Sequence, residues 1–100
     1  MRQAITTRYM GTTNTQGSRV RARASAGSVT GHWDYADNDD GNHCRVARQL
    51  AVKYGWSGFW VAGGLPSEDG NVFVWAGETP RADAIGAEGR DWFHIPAMEG

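Results

Sequence analysis

Residues 18–25 alternate in a strict period of two, with Arg19, Arg21 and Arg23 on one side and Val20, Ala22 and Ala24 on the other. That spacing predicts a half-buried β-strand, because successive strand side chains point to opposite faces. The segment before it, 3–10, is rich in strand formers (Ile5, Thr6, Thr7, Tyr9) and stops at Gly11; the polar stretch 11–17, bounded by two glycines, reads as a long hairpin loop. After the turn signal Ala26-Gly27, a third strand is expected over 28–34, where Val29, Gly31 and Trp33 alternate with Ser28, Thr30 and His32. The period then changes. Val46, Ala47, Leu50, Ala51 and Tyr54 form one apolar stripe at helical spacing, which predicts an amphipathic helix over about 43–54, capped by Asn42 and stopped by Lys53 and Gly55. Its other face offers Arg45, Arg48, Gln49 and Lys53 to solvent. Two further strands are expected at 56–62 and 71–76, joined by a Gly/Pro-rich turn over 63–70, and a final edge strand at 91–95 ends at Pro96. Residues 77–90 show no clear period. The expected fold is therefore α+β: an antiparallel sheet of about five to six strands with one helix, in one small domain spanning 1–100.

Composition changes the picture of the core. Leu, Ile, Val and Phe account for only 15 of 100 residues, under the level of about 20% where disorder becomes a possibility. Net charge, the other half of that signature, is only −1. Eleven aromatics, five of them Trp, must supply the missing apolar area at roughly 150–250 Å² each. The strands at 56–62 and 71–76 are apolar on both faces: Phe59 and Val61 back onto Trp60 and Ala62, Val72 and Val74 onto Phe73 and Trp75. Such strands are central or covered, and in so small a domain the expected cover is a second subunit or a flat ligand.

Charge is segregated along the chain. Residues 1–30 hold five Arg and no acid, whereas 31–44 hold Asp34, Asp37, Asp39 and Asp40 and no base. Either one end of the molecule attracts phosphates, or folding sets opposite charges side by side. The Arg19/Arg21/Arg23 row is the sharpest feature: with Thr30 and His32 on the next strand and Asn14 and Thr15 in the adjacent loop, it offers fork-shaped donors suited to phosphate or carboxylate oxygens. Phe73, Trp75, Trp60 and Tyr9 are the aromatics on strands where a base could stack, though core filling competes for the same rings.

Other chemistry finds no constellation. Cys44 is the single cysteine, which excludes an internal disulfide and any multi-cysteine zinc site. Its place near a helix N-terminus could lower its pKa, although packing is the commoner use of such a residue. The 37–42 acidic turn puts Gly41 where an EF-hand needs its third ligand, and 63–66 lacks the Gly-Lys-Ser/Thr ending of a phosphate-binding Walker loop. No enzyme, metal or cofactor is expected. No apolar run is long enough to span a membrane and the start has no signal-type hydrophobic stretch, so a cytoplasmic protein is expected.

The run Thr7-Arg8-Tyr9-Met10-Gly11-Thr12-Thr13-Asn14-Thr15-Gln16-Gly17-Ser18-Arg19-Val20-Arg21-Ala22 resembles a family of small phage and prophage proteins. The likeness continues through Trp33-Asp34, Asn42-His43, Tyr54-Gly55-Trp56, Gly63-Gly64-Leu65-Pro66 and Val72-Phe73-Val74, covering about 5–76. This family is similar to the phage anti-Thoeris sponges, oligomers that sequester cyclic ADP-ribose signals. The resemblance implies a non-enzymatic homo-oligomer in the host cytoplasm that binds a nucleotide second messenger, with Arg19 and Arg21 on phosphates and Phe73 on the base. The chain departs from the pattern in its Trp-rich end after residue 76 and in Gly31, where a β-branched residue is expected. Two other readings stand beside this one: a direct inhibitor of a host defence protein, acting through the acidic 31–44 or C-terminal surface, and a single-stranded nucleic-acid binder.

Overall fold

The computed structural model describes residues 3–12, 17–66, 70–78 and 86–96. Six strands, β1 (Ile5–Met10), β2 (Arg19–Ala24), β3 (Gly27–His32), β4 (Gly58–Gly64), β5 (Asn71–Trp75) and β6 (Trp92–Ile95), form one sheet in the order β3-β2-β1-β5-β4-β6. Every pairing is antiparallel. One helix, α1 (Asp39–Lys53), links β3 to β4 and packs on one face of the sheet, so the fold is α+β as expected. No helix among the described residues is long and apolar enough to cross a membrane.

The period-two reading of β2 holds: Val20 and Ala22 are fully buried under α1 and the three arginines project from the other face. The helical stripe holds as well, since Val46, Ala47, Leu50 and Ala51 are all buried. Its start does not. The cap is Asn38, whose side chain accepts from Gly41 N at 2.6 Å, and the helix begins four residues before the expected Asn42-capped start. Low helix propensity makes Asp39-Asp40-Gly41 look like a turn, but acids in a first turn meet the positive end of the helix dipole. Asn42 is instead a buried hub: it accepts from Asp34 N at 2.7 Å and donates to Asp34 O and Asn38 O at 2.9 and 3.0 Å. At the other end Gly55 N bonds Val52 O and Trp56 N bonds Ala51 O, with Gly55 at φ +68°, a Schellman stop.

Gly31 has a packing reason. A Cβ there would lie 2.8 Å from Val46 Cγ2, so the missing side chain lets α1 approach β3.

Aromatics carry the far half of the core. Tyr54 stacks on Trp56 and Trp56 on Trp60, with centroids 5.3 and 6.1 Å apart; Trp60 stacks on Phe93 at 5.9 Å, and Phe93 meets Phe73 at 5.8 Å. The two-sided apolar strands are thus largely covered from within the chain. On the helix face Trp60 and Phe73 are buried under α1. On the other face Phe59 is buried beside Trp92, ring to ring at 5.3 Å. Val74 stays 47% exposed on that face.

Candidate functional site

The face of the sheet turned away from α1 gathers the positive charge. Because Val20 and Ala22 fix the phase of β2, its three arginines share this face, and the β1–β2 register sets Arg8 directly opposite Arg21, Met10 opposite Arg19 and Thr6 opposite Arg23. Thr30 and His32 lie opposite Arg21 and Arg19 from β3. A cleft of about 670 Å³ runs along this surface; Arg8, Arg19, Arg21, Arg23, Met10 and Leu65 line it, and no carboxylate is among its described lining residues. Like charges directly opposite in a ladder destabilise a sheet, and four guanidiniums on two adjacent strands make a strong local field for anions. Arg8 belongs to this group although the arginine row was expected on β2 alone. The alternation of Thr6, Arg8 and Met10 against Ile5, Thr7 and Tyr9 was the available signal, and the pairing register was the missing piece.

The aromatics do not join the arginines. Phe73, expected to stack a base, is 0% exposed and sits in the core on the helix face, as does Trp60. Trp75 pairs with Trp60 across β4–β5, packs against the same core and donates its indole N–H to Ser57 O at 3.1 Å. The physical reason is compositional: a core poor in aliphatics absorbs these rings. Tyr9 is 44% exposed and touches the edge of the cleft, but its ring packs against Trp33 on the helix side of the sheet. Asn14 and Thr15 lie outside the described residues.

Cys44 is no nucleophile. The earlier helix start places it in the second turn of α1, away from the N-terminus; it is buried, its thiol faces Trp92 O at 3.8 Å, and loss of solvent pushes its pKa up to about 12.

A second cleft, of about 480 Å³, lies on the helix side, between the first turn of α1 and the β1/β5 junction. The β1–β5 ladder is short, with two pairs, Ile5↔Phe73 and Thr6↔Val72. Beyond it the Thr7 hydroxyl substitutes for backbone pairing: it accepts from Asn71 N at 3.2 Å and donates to Asn71 O at 3.3 Å. His43 Nδ1 lies 2.8 Å from Thr7 Oγ1. Burial depresses the pKa of His43 below its usual value, outweighing the opposing pull of Asp40 and Asp39. Tyr9 and Trp33 meet edge to face at 4.9 Å and Trp33 meets His43 at 6.1 Å, forming the aromatic side of the cleft. Asn71 Nδ2 donates to Asp40 Oδ1 at 3.2 Å on the acidic side. The sequence gives no motif for this group, since Thr7, His43 and Asn71 are brought together from three separate elements.

Compared with known proteins, the chain matches no family model, and no curated protein or solved structure is significantly similar to it.

Proposed function

We propose that the protein is a non-enzymatic binder that sequesters a nucleotide signal, a cyclic nucleotide of antiviral defence, on the arginine face of its sheet. The observation that carries this reading is the convergence of Arg8, Arg19, Arg21 and Arg23 on one cleft. Guanidinium forks match phosphate oxygens in geometry and charge. The likeness of the 7–22 run to phage sponge-like proteins directs the choice among phosphate ligands to cyclic nucleotides. Since Phe73 and Trp75 are held on the other face, the base would be met by Arg planes, Met10 and Leu65. Val74, exposed beside Val61 on the same face, is what remains of the apolar surface that a second copy of the chain would cover.

Calorimetric titration with cyclic dinucleotides, cyclic trinucleotides and cyclic ADP-ribose isomers tests the reading. One member should bind, and Arg21→Glu should abolish the heat. Silence across the whole panel would remove the proposal. Affinity that grows with oligonucleotide length and falls steeply with salt would favour the single-strand reading instead. The exposed Asp34, Asp37, Asp39 and Asp40 support a second reading, inhibition of a host defence protein. Recovery of a host complex that is lost on reversing those charges, without nucleotide binding, would favour it.

A further inference from the structure

The two edges of the sheet are finished differently. β6 is four residues long and is followed by Pro96, and its start is covered by the preceding turn, where Gly89 N–H donates to Trp92 O and Glu88 bridges to Trp92. Short strands, prolines and covering loops are the usual protections of an edge. β3 has none of these: its six residues pair with β2 without a bulge, and no proline or charged residue is among them.

The ladder decides which backbone groups β3 leaves open. Trp33 N–H donates to Ser18 O, so in the register Arg19↔His32 the residues Gly31, Val29 and Gly27 exchange bonds with β2, and Ser28, Thr30 and His32 turn theirs outward. Side chains take the groups at both ends of this outward row. Ala26 N donates to Gln3 Oε1 and Tyr54 Oη to Ala26 O, each at 3.0 Å, and the Arg45 guanidinium donates to His32 O. Between these capped ends, the N–H and C=O of Ser28 and Thr30 meet no protein partner among the described residues.

These open groups are complementary to themselves. A second β3, antiparallel and centred on Val29, sets Ser28 opposite the partner's Thr30 and Thr30 opposite the partner's Ser28, which closes four N–H···O bonds and disturbs none of the three end contacts. The half-buried Val29 then meets its copy on the helix side as a non-hydrogen-bonded pair, the closer of the two kinds. Nothing else in the fold opposes this approach. The β2 strands of the two copies lie three strand spacings apart, about 14 Å. The arginine rows are thus farther apart than the screening length of about 8 Å in physiological salt. α1 packs over β2 more than over β3, and packed helices need only about 8–10 Å between axes, so the two helices clear each other. An extended peptide would gain the same four bonds only by losing the entropy of a free chain, whereas a second copy brings its strand already ordered. We propose that the chain dimerises by antiparallel β3–β3 pairing about a two-fold axis at Val29, which joins the two sheets into one with both arginine faces on the same side. This contact is separate from the Val61/Val74 patch and does not depend on what the arginine face binds.

Sedimentation equilibrium of the full chain should follow a monomer–dimer equilibrium. Thr30→Pro removes an N–H that β2 does not use, so the ladder survives, and the loss of two bonds per dimer should raise the dissociation constant about 10–100-fold. Thr30→Lys leaves the backbone intact and puts an ammonium on each side of the axis, so it should weaken the dimer too. Val74→Lys, on the far half of the sheet, should leave this dimer in place. Amide exchange in the parent needs no variant: the Ser28 and Thr30 amides should exchange slowly where the dimer dominates and quickly on dilution. The proposal is overturned by a chain that stays monomeric at every concentration, by a dimer that both Thr30 variants leave intact, or by Ser28 and Thr30 amides that exchange freely within the dimer.

Discussion

Replacing Thr7 with Val keeps the shape of the side chain and deletes its hydroxyl, which makes it a direct test of the junction between the two halves of the sheet. Thr7 is 1% exposed, and its oxygen serves Asn71 N, Asn71 O and His43 Nδ1. Removing it takes the partner from Asn71 N–H, Asn71 O and His43 Nδ1, and each buried polar group left unsatisfied costs about 1–3 kcal/mol. The sum is about 2–4 kcal/mol after partial relaxation, a large part of the ~5–15 kcal/mol that holds a domain together. Thr7→Ser is the complementary change: it keeps the hydroxyl and loses one buried methyl, worth about 1 kcal/mol. Urea melts followed by tryptophan fluorescence should therefore rank the parent above Thr7→Ser and Thr7→Ser well above Thr7→Val. In thermal melts the Val variant should fall by at least about 8 °C, at roughly 4–8 °C per kcal/mol for a domain of this size. A Val variant as stable as the Ser variant would refute the role given to the hydroxyl.

Two further outcomes are expected. The pKa of His43 is lower in the folded chain than in the unfolded one, so the unfolded state binds more protons below about pH 6.5. The stability gained from a neutral His43 is complete above that pH and is lost as pH falls toward the depressed folded value; urea midpoints at about pH 7.5 and 5.5 should separate more in the parent than in His43→Gln, and equal separations would dismiss this linkage. Gly31→Ala puts a Cβ 2.8 Å from Val46 Cγ2 and should cost about 1–3 kcal/mol by overpacking; the cost should shrink when Val46→Ala makes room, and a double-mutant cycle without coupling would argue against that contact.

Much of the fold was legible in the chain because it rests on local periodicity. Val20 and Ala22 against three arginines marked β2 and its faces, and Val46, Ala47, Leu50 and Ala51 marked the buried side of α1. The helix start was not legible, because Asp39, Asp40 and Gly41 have turn-like propensities and are held helical by the Asn38 cap and the buried Asn42 network. Phe73 and Trp75 could be placed on a strand but not on a side: β5 is apolar on both faces, and alternation carries no phase where both phases are hydrophobic.

The same division holds for the two clefts. Local periodicity is enough to put the β2 arginines on one face, since a period-two pattern with an apolar partner set admits one orientation toward a core. Composition requires aromatic rings to do much of the core's work, because 15 residues of Leu, Ile, Val and Phe could not. Strand pairing, by contrast, brings Arg8 into the cationic face, through the register Arg8↔Arg21. Only tertiary structure joined Thr7, His43 and Asn71, with sequence separations of 36 and 64 residues, into one hydrogen-bonded group. Strand order and register are set by long-range pairing, and no local pattern encodes which distant strand or helix a side chain will meet.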